Sequence, residues 1–373
     1  LVDSIFGLYN FLVVQISPAA VASFSKDAVR TTIGLVFLLG VLVFFHELGH
    51  FIVAKLLRMR VEEFAFGFGP KWIRLFKLGE TEYTIHPIPL GGFVKMVGGE
   101  LGEADVPGGF NTKPWYSRML VYFAGPFMSF VLAYLIFCIL GFTYGIPTKA
   151  LNRVDQVMKG SLAEKAGLKS GDVVTEINGK RITTGEDLVE TIHNSPNKRL
   201  TIVVSRKGER IVLHATPELR ELGGEKVGML GFTAAVKVER VGLIRSAKYG
   251  TRETYGFIML TLQSLFSPHV AQNVGGPIAI AMATKEGVKA GLPAYLRLMG
   301  LLSLSLGVVN LLPIPVVDGG QMMLLLVEGI KRRRLSQKTW ETAYRIGLTV
   351  IAVLFLTIMY LDLTRVASGK FPQ

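Results

Sequence analysis

The run from Thr31 to Leu57 holds only Glu47, Lys55 and two histidines among otherwise apolar or small residues. As an α-helix it is long enough to cross a bilayer, and that fixes much of what the chain can become. Polar groups at such depth are costly unless they line a cavity or hold a ligand. Here they read His46-Glu47-Leu48-Gly49-His50. Residues four apart share a helix face, so both imidazoles project to one side and can share one ion. Glu47 stands beside that face, where it can take a proton from an attacking water. The five-residue pattern turns up by chance in many chains, and the competing reading is a pair of hydrogen-bonded core histidines. The apolar setting favours the metal reading, because burying such groups in lipid demands a use.

Composition agrees with a membrane setting. The 373 residues are 50% hydrophobic and 18% charged, with a mean hydropathy of +0.42. That is too apolar for an ordinary soluble protein, and the length allows several spans plus a folded domain. The formal net charge is +13. In a membrane protein such an excess marks cytoplasmic loops beside anionic lipid, and no basic run is interleaved with aromatics, so nucleic-acid binding is not expected. Cys138 is the only cysteine, which excludes an intramolecular disulfide and a cysteine-based zinc site. The chain opens on Leu1, so the true N-terminus is expected upstream. Its first residues lack the basic head and cleavage site of a signal peptide.

Residues 1–30, with Pro18 and the charged stretch at 25–30, read as an interfacial or extramembrane lead-in. Spans are expected at 31–57, at 119–146 (broken early by Gly125-Pro126), at 292–312 and at 346–361. Between the first two lies a cation-rich loop, 58–118. Residues 150–217 change character. Ile202–Val204 and Ile211–Leu213 read as strands joined by a turn, and a helix near Gly185–His193 completes a small αβ domain. From Val241 to Phe266 apolar residues at helical spacing suit a helix in the membrane interface, interrupted by the segment 273–278; the whole 241–290 region reads as interfacial. The short basic loops 58–118 and 331–345 are expected in the cytoplasm. Four spans then put both termini and 150–290 outside it, with the histidine pair toward the cytoplasmic end of its span.

A catalytic zinc site needs three protein ligands and one open position. Asp318 is the best third ligand, because it follows the helix-breaking Pro313 and Pro315 and is flanked by Gly319-Gly320. Irregular backbone belongs inside a membrane only where it lines a cavity. The alternative is an aspartate that caps the next helix.

Several separated motifs, in order, resemble the site-2 proteases, a family of intramembrane zinc metalloproteases, and most nearly their bacterial regulators of envelope stress. These are His46–His50, the segment 64–70, Gly91-Gly92-Phe93-Val94-Lys95, the 150–217 domain, Val274–Ile278, and Asn310 through Gly320. The resemblance implies a mainly α-helical polytopic membrane protein of about four transmembrane helices, with a membrane-dipping β-hairpin and one extracytoplasmic PDZ-like domain. It implies that His46, His50 and Asp318 bind Zn2+, that Glu47 is the general base, and that Asn310 contacts substrate near the scissile bond. Gly91 and Gly92 would lie in the hairpin that pairs with the unwound substrate. The PDZ domain, of unknown ligand, would hinder bulky ectodomains. Two departures stand out: Val317 where the family usually has Leu, and Gln321 where it often has His. Many close relatives carry two tandem PDZ domains; one is found here.

The expected function is cleavage of single-span membrane proteins within the bilayer of the bacterial inner membrane. Such substrates would be anti-sigma factors already trimmed outside, or remnant signal peptides. A buried peptide bond must first be unwound and supplied with water. Segment 82–96 offers β-branched and aromatic residues around a Pro/Gly stretch, either as an edge for strand addition or as a hairpin anchored at the interface. His86, among prolines, reads as a surface histidine. Two other classes compete: a non-proteolytic membrane adaptor using its PDZ domain, and a metal transporter. Intact His46, Glu47, His50 and Asp318 argue against the first. A glutamate beside the histidine pair, only four spans and a PDZ domain argue against the second.

Overall fold

The computed structural model describes residues 18–99, 103, 105–222, 225–267 and 274–368. Two compact units divide the chain, one of Leu1–Cys138 with Lys248–Phe371 and one of Ile139–Ala247 with Pro372–Gln373.

The first unit is built on long apolar helices. Helix α1 spans Pro18–Leu56, so residues 18–30 of the expected lead-in are its opening turns, while the stretch apolar enough to span begins at Asp27; residues 1–17 lie outside the described residues. Pro18 starts the helix where its missing N–H is not needed, and Lys26, Asp27 and Arg30 end an apolar run without ending a helix. Helix α2, Trp115–Thr143, runs straight through Gly125-Pro126. One lost donor does not break a long apolar helix whose freed carbonyls find other partners. After the second unit come α5 (Leu243–Leu265), α6 (Pro277–Ala290), α7 (Leu292–Asn310), α8 (Asp318–Lys331) and α9 (Gln337–Ala367). Among the described residues four segments are long and apolar enough to cross a membrane: Asp27–Leu56, Trp115–Thr143, Leu292–Asn310 and Gln337–Ala367. The last extends well beyond the expected 346–361 because Glu341 and Arg345 bound the apolar window, not the helix. Of the interruption expected at 273–278, residue 273 lies outside the described residues and Pro277 opens α6. That opening is fastened by Asp362 of α9, whose carboxylate accepts from Gly276, Ile278 and Ala279 N–H at 3.2, 3.1 and 3.1 Å.

The loop between α1 and α2 is a four-stranded sheet, not a hairpin. Its strands are β1 (Val61–Phe68), β2 (Ile73–Leu78), β3 (Thr81–Ile85) and β4 (Ile88–Met96), in the order β2-β3-β1-β4. β3 lies parallel to β1, with Glu63 opposite Glu82, and β4 lies antiparallel on the other side, with Phe64 opposite Val94. The chain therefore crosses over β1 between β3 and β4. Gly67 permits the crossing: its φ is +96°, and a Cβ there would stand 2.6 Å from the His86 carbonyl oxygen. β4 is left as an edge of this sheet.

The second unit holds a sheet of order β12-β5-β6-β8-β9, with the short β7 (Lys180–Arg181) on β6 and a separate β10–β11 pair (Glu218–Leu222, Glu225–Met229). The larger strands are β5 (Ile146–Val157), β6 (Val173–Ile177), β8 (Leu200–Arg206), β9 (Glu209–Ala215) and β12 (Phe232–Glu239). β8 and β9 form the hairpin expected from sequence. Helix α3 is the short Leu162–Lys165, and α4, Gly185–His193, opens on a capping box of Thr184 and Asp187. The domain exceeds the expected 150–217, because β12 returns to pair along β5. Such non-local pairing leaves no local signal in the sequence. Leu188, Ile192, Ile177, Leu200, Ile202 and Val204 make the core.

One buried charge ties that core to its rim. Arg206 meets Asp172 through Nε at 2.7 Å and Nη2 at 2.8 Å, while Lys169 N–H donates to the same carboxylate at 2.9 Å. Burial opposes ionisation of Asp172, but the Arg206 fork and the amide outweigh it and hold the carboxyl below its usual value. A carboxyl depressed in the folded state stabilises above its unfolded pKa of about 3.9, and that stability is lost as pH falls through the folded value. Asp172→Asn is therefore expected to lower the domain's stability at neutral pH by about 2 kcal/mol. It should also flatten the loss of stability below about pH 4. Thermal unfolding of the detergent-solubilised chain across that pH range checks both.

Candidate metal centre

Helices α1, α2, α7 and α8 bring the polar residues together. Gly49 lets α1 and α2 approach closely, since a Cβ there would stand 2.2 Å from the Ala124 carbonyl oxygen. At that crossing α2 takes hold of both rings. His50 Nδ1 donates to the Val121 carbonyl at 2.8 Å, and His46 Nδ1 lies 3.1 Å from Ser129 Oγ. Ser129 in turn donates to the Gly125 carbonyl at 3.3 Å, leaving its lone pair for His46. Both histidines thus carry hydrogen on Nδ1 and present a bare Nε2.

The two Nε2 atoms are 3.3 Å apart. Asp318 faces them, its Oδ2 3.0 Å from His46 Nε2 and its Oδ1 3.5 Å from His50 Nε2. Asp318 opens α8, but the cap position belongs to Val317, with no side-chain cap bond. The carboxylate is therefore turned to the histidines instead of to the helix end. Two lone pairs and a carboxylate at these distances repel unless a cation sits among them. Tetrahedral zinc with bonds of about 2.0–2.1 Å has ligand atoms about 3.3 Å apart, so this donor set fits the ion. The room for it is made by Gly125, where a Cβ would stand 2.4 Å from His50 Nε2 and 2.8 Å from His46 Nε2. Val316, two residues before Asp318, holds φ at +135°, a conformation that costs a β-branched residue about 1–3 kcal/mol.

Glu47 lies with His46 and His50 in one cluster whose ligand atoms fall within 4.8 Å of one another. The backbone N–H of Val94 on β4 faces its carboxylate. Gly92, on the same strand, faces it too: a Cβ on Gly92 would stand 3.7 Å from Glu47 Cγ. Gly91 lies against the Phe68 ring. Asn310, the last residue of α7, brings Nδ2 within 3.3 Å of His46 Nε2. Gln321 faces a cavity of about 470 Å3 that Tyr122 and Arg118 also line.

His86 is not a surface histidine. It is buried, with Nδ1 2.7 Å from the Gly69 carbonyl and Nε2 3.3 Å from Glu63 Oε1. Burial works against ionisation of Glu63, but Thr84, His86 and Lys71 outweigh it and hold its carboxyl below the usual range. Composition around a proline says nothing of Glu63, Thr84, the Gly69 carbonyl and the Phe93 ring, which the fold brings against this imidazole. Ser129, Val121 and Gly125 also escaped the sequence reading. Gly125 and Ser129 are four apart on one face of a helix, and that pair of small residues was the available signal.

Comparison with known proteins matches the chain to Peptidase family M50 over residues 34–354. A Clostridium acetobutylicum protein is 35% identical over 327 residues, covering 87% of this chain and 94% of its own length. The zinc metalloprotease RasP of Bacillus licheniformis is 30% identical, covering 90% of this chain and 99% of its own. The regulator of sigma-W protease RasP of Bacillus subtilis is 27% identical, with the same coverage. A solved PDZ domain from a Listeria monocytogenes SdrC-like protein aligns with 24% of this chain at 19% identity and a TM-score of 0.21, a score that does not fix the fold of the αβ unit. The chain belongs to Peptidase family M50 and is a zinc metalloprotease.

Proposed function

We propose that this protease cuts single-span membrane proteins inside the bilayer, with His46, His50 and Asp318 as zinc ligands and Glu47 as general base. One observation carries the reading: two bare imidazole nitrogens and a carboxylate converge beside a glutamate, on helices apolar enough to cross a membrane. Zinc held there supplies Lewis-acid polarisation of the scissile carbonyl and lowers the pKa of a water toward about 7. Glu47 takes the proton of the attacking water and delivers it to the leaving amine. Asn310 donates its amide hydrogen to the scissile carbonyl oxygen or to the extended backbone beside it. Gly91 and Gly92 lie on the edge strand β4, which receives the unwound substrate by strand addition. With no side chain, Gly92 lets that backbone come close to Glu47.

The substrate orientation rests on the cationic loops. With 58–118 and 331–345 in the cytoplasm, the site opens toward the cytoplasmic side of the inner membrane and the αβ unit lies outside. A substrate with a cytoplasmic N-terminus then yields a fragment released inward. Anti-sigma factors trimmed outside fit that class, in keeping with the sigma-W regulator among the relatives, as do remnant signal peptides. The αβ unit acts as a PDZ-like filter against bulky ectodomains.

Cleavage of a single-span reporter by the purified chain tests the reading. Glu47→Gln is expected to lower the rate by about 10²–10⁴-fold while zinc stays bound. His46→Ala should lose the zinc as well as the activity, and a chelator should silence the wild type. Equal cutting by wild type and Glu47→Gln would remove Glu47 from the chemistry. Gly125→Ala places a methyl group in the space between the two Nε2 atoms, so zinc content by metal analysis is expected to fall about as far as in His46→Ala.

A further inference from the structure

Away from the metal centre, α2 and α8 meet again through a buried ion pair. Arg118 Nη2 donates to Glu328 Oε2, and both residues are about 95% buried, at 5% and 4% exposure. Arg118 Nε is buried without a hydrogen-bond partner among the described residues, which leaves Glu328 as the partner of this guanidinium's charge. Glu328 is fully engaged in turn. Its Oε1 accepts the Leu335 N–H at 3.1 Å and the Trp340 Nε1–H at 3.3 Å, drawing the start of α9 into the same knot. Trp115 packs its indole against Gly329 beside the pair.

The two helices that meet here also build the metal centre. On α2, Arg118, Gly125 and Ser129 fall on one face, and Val121 lies a turn from Arg118; Val121 and Ser129 hold the rings and Gly125 makes room between them. On α8, Asp318 and Glu328 stand about three turns apart. Between them α2 and α8 do not close on each other: Arg118, Tyr122, Gln321 and Glu328 all border the 470 Å3 cavity. Open space transmits no spacing, so the separation of the two helices is set where they touch, and Arg118–Glu328 is such a contact.

We infer that Arg118 and Glu328 are positioning residues of the metal centre: their ion pair fixes α8 against α2 and so sets the reach of Asp318 toward His46 and His50. This rests on the zinc assignment above. Loosening the pair lets α8 drift by fractions of an ångström, which a metal site registers before the fold does.

Zinc affinity by chelator competition and the visible spectrum of the cobalt-substituted full chain test this in detergent. Glu328→Gln is expected to weaken zinc binding at least about tenfold. It should alter the cobalt bands and lower kcat with KM little changed. Arg118→Lys keeps the charge but loses the planar fork, and is expected to weaken zinc by at least about threefold. If Glu328→Gln does not accumulate, Arg118→Lys decides. Folded variants with wild-type zinc affinity and an unchanged cobalt spectrum would overturn the inference, as would an effect on thermal stability alone. If the wild type itself binds no zinc, the underlying assignment fails and the inference with it.

Discussion

Everything at the centre of this molecule follows from putting two imidazoles and two carboxylates together among helices apolar enough to cross a membrane. Such groups persist there only if each is held by a partner. The histidines are fastened through Nδ1 to α2, by the Val121 carbonyl and by Ser129, and that fixes which nitrogen is free. With both Nε2 atoms bare and Asp318 turned toward them, the cluster is an excess of electron pairs that suits a cation. The small residues around it serve the same end. Gly49 brings the helices together, and Gly125 keeps a methyl group out of the space the cation needs.

The sheet between α1 and α2 reaches the same point from another side. β4 is an edge strand whose Val94 N–H faces Glu47 and whose Gly92 would bring a Cβ within 3.7 Å of Glu47 Cγ. The strand proposed to receive substrate and the residue proposed to move the proton are thus neighbours. A substrate backbone laid along β4 arrives next to the carboxylate that must act on it. This economy depends on Gly67, which lets the chain cross β1 and leave β4 outermost.

Much of the centre was legible in the sequence, since His46, Glu47 and His50 announce themselves by helical spacing inside an apolar run. Asp318 was marked by its broken-helix setting, but that its carboxylate faces the imidazoles and makes no cap bond is a product of the fold. The β8–β9 hairpin and the 185–193 helix were legible from local pattern. What was not legible is long-range. The parallel pairing of β1 with β3, the return of β12 to β5 and the burial of His86 all come from segments distant in sequence. So do Ser129 and the Arg118–Glu328 pair: Arg118 read as one more loop cation because nothing local reveals a partner 210 residues away.

The most direct test of the central claim is X-ray absorption at the zinc edge of the purified chain. The account predicts one zinc per chain with two imidazole nitrogens and oxygen ligands, all at about 2.0–2.1 Å, in four-coordinate geometry. A sulfur shell at about 2.3 Å, a six-coordinate oxygen shell, or no bound zinc would contradict it.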